Sequence, residues 1–168
     1  RKNLEHLLLA FDKFKAGDQN KVKLLVVGNK KWWPKELERT FQSMKFKQEV
    51  YFMGRLTDEE LSKALASSLA LTYLPYFEGF GIPILEAFQA ETAVITSTVT
   101  SMSEVAADAG ILCDPKNVEE IANAMQLIAS QPEKRAALIE KGKLRKNDFS
   151  WQKSADLLWS SIEKTLNS

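Results

Sequence analysis

Apolar residues along the chain switch between two spacings, and the switching marks out its elements. Leu4, Leu7, Leu8, Phe11 and Phe14 recur at three- and four-residue intervals, one face of a helix that ends near Gly17. Residues 21–28 alternate and then turn continuously apolar, which predicts a strand stopping at a glycine. Pro34 opens a second helix to about Met44, and residues 49–54 read as a second glycine-terminated strand. Thr57, with Glu60 three residues on, is a capping box for a helix through Leu61, Leu65 and Ala66. Residues 69–74 are short and almost wholly apolar, as in a strand covered on both faces of a parallel sheet. A helix over residues 82–90 follows, then strands at Ala93–Ser97 and Gly110–Cys113. Asn117 caps a helix with Val118, Ile121, Met125 and Ile128 on its buried stripe, and Pro132 begins another, to about Lys146. Ser150 caps a last helix, where Trp151, Ala155, Leu158 and Ile162 share a face. Strands alternating with helices predict an α/β fold, a Rossmann-like doubly wound parallel sheet, in one domain over residues 1–168.

Between the third strand and its helix lies Pro75-Tyr76-Phe77-Glu78-Gly79-Phe80-Gly81-Ile82-Pro83. In open α/β sheets ligands bind at the carboxyl ends of the strands, where this loop opens. Gly79 and Gly81 let a ligand approach the main chain, and Pro83 suits a helix start. The N–H groups of that start favour an anion such as a diphosphate. Glu78 and Glu86 would repel a bare diphosphate, so they make sense as acceptors for hydroxyls attached to it. A nucleotide-sugar meets that requirement. The plainer alternative makes Glu78 a solvated loop residue and Glu86 a first-turn partner of the helix dipole, worth ~0.3–1 kcal/mol.

Composition narrows the classes. The chain carries 23 basic and 22 acidic residues, so its charge does not argue for nucleic acid. No apolar run approaches the ~20 residues of a membrane span. Cys113 is the only cysteine and His6 the only histidine, which leaves no disulfide and no cluster of soft metal ligands. A reducing, cytoplasmic setting is the simplest expectation. His6 falls opposite the leucine stripe and reads as exposed, and Trp32 and Trp33 read as packing over the sheet edge, with stacking on a base or facing a further domain as the alternatives. No G-x-G-x-x-G follows the first strand and no Walker loop is present.

The run Glu78-Gly79-Phe80-Gly81-Ile82-Pro83-Ile84-Leu85-Glu86-Ala87 resembles the E-x7-E signature, E-G-F-G-[LI]-P-x-L-E-A, of the retaining glycosyltransferases of family 4, which have the two-domain GT-B fold. Arg1-Lys2-Asn3-Leu4 through Ala10-Phe11 is similar to the family's opening, whose lysine, here Lys2, reaches the donor diphosphate. Val50-Tyr51-Phe52-Met53-Gly54-Arg55-Leu56 is similar to the stretch whose main chain contacts the nucleobase, a role that falls to Arg55 and Leu56. Gly110-Ile111-Leu112-Cys113-Asp114-Pro115 and Phe149-Ser150-Trp151 also match. Where proline–serine is usual the chain has Pro75-Tyr76, and where G-[TC]-P-V is usual it has Glu91-Thr92-Ala93-Val94. A side chain at position 91 costs of order 1 kcal/mol if that backbone takes positive φ.

The resemblance implies the C-terminal, donor-binding half of a GT-B glycosyltransferase that moves a hexosyl group from a nucleotide-diphosphate sugar in polysaccharide or glycan synthesis. It implies Glu78 and Lys2 as catalytic residues, with Glu86, Gly79, Phe80, Gly81, Ile82, Arg55 and Leu56 binding the donor. No metal and no cofactor are implied, and the half alone is expected to be inactive. An acceptor-binding N-terminal domain, and a strand ahead of Arg1, would lie outside these residues. Glu86, at a positive helix end, is expected to stay ionised, which argues against a glycosidase pair. Lys141, Lys143, Arg145 and Lys146 read as a solvated helix end or, alternatively, as a contact with an anionic membrane at its inner face. A nucleotide-sugar epimerase or hydrolase of the same fold, or a non-catalytic nucleotide-binding module, are the other functional readings.

Overall fold

The computed structural model describes residues 2–29 and 33–166, so the expectations placed on Arg1, Lys30, Lys31 and Trp32 lie outside the described residues. The elements run α1 (Leu4–Lys15), β1 (Leu24–Val27), α2 (Lys35–Ser43), β2 (Val50–Gly54), α3 (Asp58–Ala66), β3 (Ala70–Tyr73), α4 (Ile82–Gln89), β4 (Ala93–Ser97), α5 (Ser101–Ala106), β5 (Gly110–Cys113), α6 (Val118–Ser130), α7 (Pro132–Arg145) and α8 (Trp151–Leu166). Both caps form as the sequence suggests. The amide of Glu60 donates to Thr57 Oγ1 at 3.3 Å while the Glu60 carboxylate takes the Thr57 amide at 2.8 Å, and Asn117 Oδ1 accepts from the Glu120 amide at 3.1 Å.

All strand pairs are parallel, but they form two ladders, β1–β2 and β3–β4–β5. A single sheet was expected. Each ladder winds outward from its inner edge, β1 then β2 on one side and β3, β4, β5 on the other. Between the inner edges runs a slot of about 870 Å3, walled by the full length of both strands and floored by Phe11, Met125 and Ile128. In a doubly wound sheet of order 3-2-1-4-5-6 this is the place of the first strand, and the crevice beyond it is the topological switch point.

β4 is buried along its whole length. Ala93 and Ile95 join α1 and α6 in one core, while Val94 joins α3, α4 and α5 in the other. That division follows from the two-residue alternation of a strand. Trp33 packs edge-on against Phe41 and Phe52, with ring centroids 5.7 and 5.0 Å away.

α5 was not expected, being only six residues long with a single turn's worth of pattern. α8 also differs: Ser150 caps it, its Oγ taking the Lys153 amide at 3.1 Å, but none of its residues is buried, and Trp151 is 87% exposed. Its apolar face meets no partner within residues 2–166. Glu91 takes φ 55°, so the strain that glycine would avoid at that position is present.

The basic cluster at the end of α7 is mostly paired. Lys141 meets Asp108 at 2.9 Å, Lys143 meets Glu91 at 2.9 Å, and Arg145 donates to the carbonyls of Glu104 and Val105 at 2.7 and 3.2 Å. Those contacts staple α7 over α5, which gives the cluster a structural role that charge counting does not reveal.

Candidate functional site

The loop between β3 and α4 is fixed at its base by the neighbouring strand. Thr96 Oγ1 donates to the Tyr73 carbonyl at 2.7 Å and Ser97 Oγ to the Pro75 carbonyl at 2.9 Å, both from β4. With Pro75 and Leu74 buried, the chain leaves the sheet in one direction. Farther out, Tyr73 donates its hydroxyl to Glu78 Oε2 at 2.7 Å, and Ser101 Oγ, at the start of α5, donates to the Glu78 carbonyl at 2.9 Å. The half-buried Glu78 is thus held at both its carboxylate and its main chain.

Gly81 precedes α4 with φ +107° and lies so close to Met102 that a Cβ would sit 2.5 Å from its Cε. Only glycine satisfies both demands. Beyond it Pro83 has no N–H, the Ile84 amide donates to the Gly81 carbonyl at 2.9 Å, and the Gly79 amide points to its neighbour's carboxylate at 3.4 Å. Among the described residues the amides of Phe80, Gly81 and Ile82 donate to no main-chain carbonyl, a smaller set of open donors than the bare motif suggests. Phe80 directs its ring away, to an edge-on contact with Phe149 at 5.9 Å.

Glu86 is the fifth residue of α4 rather than a first-turn residue. Burial of its carboxyl, with the negative charge of Asp58 in support, raises its pKa above the ordinary glutamate value of 4.5. The residue as a whole is exposed, but it lines the slot, and desolvation there decides the direction. The helix dipole falls off within the first turn, so at the fifth position of α4 it does little to offset that desolvation.

Lys2, Tyr73, Pro83 and Glu86 share the slot wall, and Tyr73 carries Glu78 to the same rim. Arg55 and Leu56 stand one strand farther out, between β2 and α3; their link to the rest is Asp58, whose charge reaches Glu86. Among the described residues no three His, Cys, Asp or Glu side chains gather as a metal site.

Several site residues went unmarked in the sequence. Tyr73 could have been flagged, because a tyrosine in a largely apolar, half-buried strand carries a hydroxyl that needs a partner. Ser101 and Ser97 offered no such signal. His6 is not merely exposed: its ring meets Tyr76 edge-on at 5.9 Å, and its Nδ1 contacts both the Tyr76 hydroxyl and Asn3 Oδ1, the latter at 2.8 Å. Asn3 Nδ2 in turn donates to the Pro115 carbonyl at 2.6 Å, tying α1 to the loop after β5.

Comparison with known proteins gives a consistent picture. The family model described as glycosyl transferases group 1 matches residues 1–145. The O-antigen chain mannosyltransferase B of Escherichia coli is 29% identical over 152 residues, which are 90% of this chain and 40% of that protein. Among solved structures, the C-terminal domain of the group 1 glycosyl transferase LpcC of Francisella tularensis superposes with a TM-score of 0.75 at 22% identity, covering 88% of this chain and 78% of that one. Anabaena HepE in complex with UDP-glucose gives 0.76 at 20% identity, covering 91% of this chain and 44% of that one. These likenesses establish the GT-B half-fold, and the chain spans two fifths or less of the curated relatives it matches first.

Proposed function

The chain belongs to the glycosyl transferases group 1 family, and from that membership we propose that it is the donor-binding domain of a retaining glycosyltransferase that moves a hexosyl group in polysaccharide synthesis. The observation that carries the reading is that Lys2 and Glu86 line the slot beside the switch point together with Tyr73, whose hydroxyl holds Glu78. Phe80, Gly81 and Ile82 amides and Lys2 would receive the diphosphate and take up its charge as the glycosyl bond breaks, without a bound metal or cofactor. Glu78, locked by Tyr73, accepts from the hexose hydroxyls. Glu86 accepts from the ribose diol, and the main chain at Arg55 and Leu56 borders the base. The mannosyltransferase relatives support a mannosyl donor, and the UDP-glucose complex of HepE supports a nucleotide-sugar as the class of donor.

The slot supports a second part of the reading: one further parallel strand, leading into α1, completes the sheet, and an acceptor-binding domain beyond it forms the opposite wall of the cleft. No helix among the described residues is long and apolar enough to cross a membrane; the site of action proposed for the enzyme is the cytoplasm, at the inner face of the membrane.

Calorimetric titration of the intact protein with mannosyl and glucosyl esters of UDP, GDP and ADP tests the donor site. One of them should bind, and Glu86→Ala should weaken it at least tenfold. Equal affinity in the variant would leave a non-catalytic nucleotide-binding module as the better account.

A further inference from the structure

Tyr76 stands where the family resemblance leads one to expect a small residue, two positions before Glu78 on the loop pinned by Ser97. Its hydroxyl direction follows from its neighbours. The Asn3 side-chain atom 2.6 Å from the Pro115 carbonyl must be the nitrogen, because two oxygens would repel there. The Asn3 oxygen is then the atom 2.8 Å from His6 Nδ1, so that Nδ1 must carry a hydrogen. The Tyr76 oxygen lies against the same Nδ1. A protonated ring nitrogen has no lone pair to accept with, in the neutral tautomer or in the imidazolium alike. The tyrosine oxygen is therefore not the donor in this contact, and its own O–H is left to turn away from the imidazole.

Tyr76 also lines a cavity of about 460 Å3, together with Val99, Asp114, Pro115 and Lys116. A tyrosine, an aspartate and a lysine around one cavity are residue types suited to a polyhydroxylated ring. Burial, with the negative charges of Glu5 and Asp114, holds the phenol above its ordinary pKa, so it keeps the proton it would donate.

We propose that Tyr76 is a specificity-determining residue whose hydroxyl donates to an oxygen of a sugar bound over the Glu78 loop, with Asn3 and His6 as the residues that aim it. The inference rests on the donor-site reading above. The sugar could be the hexose of the donor or that of the acceptor, and steady-state kinetics of the intact enzyme separates the two.

Tyr76→Phe removes one oxygen and keeps the ring. It should raise one KM, for donor or for acceptor, about three- to tenfold, the range of a single hydrogen bond exchanged against water. His6→Ala should do the same to the same KM, and the double variant should be no worse than either single one. His6→Asn, which keeps an N–H near the position of Nδ1, should stay within twofold of the parent. If both KM values stay within twofold in Tyr76→Phe, the proposal is overturned. Glu86→Gln run alongside tells the two failures apart: an unchanged donor KM there would fault the donor site itself, not Tyr76 alone.

Discussion

Tyr73 and Glu78 are joined side chain to side chain, hydroxyl to carboxylate, at 2.7 Å across the turn out of β3. The tyrosine belongs to a strand fixed by the ladder and the glutamate to the loop that meets the ligand, so the bond carries the rigidity of the sheet into the site. Tyr73→Phe should fold normally and lower kcat/KM by about tenfold, or ~1.4 kcal/mol, as a charge-assisted hydrogen bond is lost. Kinetics of the variant, with a circular dichroism control, checks this. An unchanged kcat/KM would mean that Glu78 keeps its place without the strand.

Glu86 gives the site a pH dependence. Its folded pKa is raised, so on acidification it takes up its proton at a pH above the ordinary glutamate value of 4.5. Only the ionised form accepts from both hydroxyls of a diol, so donor affinity should fall as pH drops through that raised value. Glu86→Gln should flatten this limb. The same shift gives stability the opposite slope: burial of the charge weakens the fold above the raised pKa, and the penalty vanishes below 4.5. Donor titrations across pH, with and without the substitution, would contradict this if the two profiles ran parallel.

Gly142 allows α7 to lie on α4. A Cβ there would meet Phe88 Cδ1 at 2.6 Å, and Phe88 is 1% exposed and cannot retreat. Helix propensity favours alanine by ~1 kcal/mol, but overpacking of a filled core opposes it by ~1–3 kcal/mol. Gly142→Ala should therefore destabilise the fold despite its better propensity, by up to ~2 kcal/mol in urea unfolding. A gain in stability would show that the two helices separate easily.

Lys15 and Asp18 form a pair whose side chains are 7% and 0% exposed, 2.7 Å apart, with the Asn20 and Val22 amides also donating to Asp18. Burial alone would push the Asp18 pKa up, but these donors outweigh it and hold the carboxyl below 3.8. The pair contributes stability above that value and loses it as pH falls through the depressed one. Asp18→Ala leaves the Lys15 ammonium with the Val22 carbonyl, 2.9 Å away, as its remaining acceptor and should cost about 2–3 kcal/mol. Chemical denaturation at neutral pH would expose a smaller loss, which would mean that Lys15 swings out to solvent.

The local elements and the ligand loop were legible because each is announced by chemistry within a few residues: the Thr57–Glu60 box, the Asn117 cap, Gly81 ahead of Pro83. The division of the sheet was not, since period-two patterning states that a strand is covered but not by what. For the same reason the apolar stripe of α8 reads as core in a chain where it buries nothing. At the site, the acids were found by type and spacing, whereas Tyr73, Ser101 and His6 act across separations of 5, 23 and 70 residues. Such partnerships are made by the fold and leave no spacing to read.

β1 and β3 sit at the middle of the molecule by position yet behave as borders by chemistry, each with one side of its backbone unmatched. Borders of that kind are adhesive. Purified as residues 1–168, the chain should cling to itself, with the edge of one copy seeking the gap of another. Sedimentation velocity over a dilution series should show species heavier than the 19.0 kDa monomer, and a short apolar peptide able to lie in the gap should dissolve them.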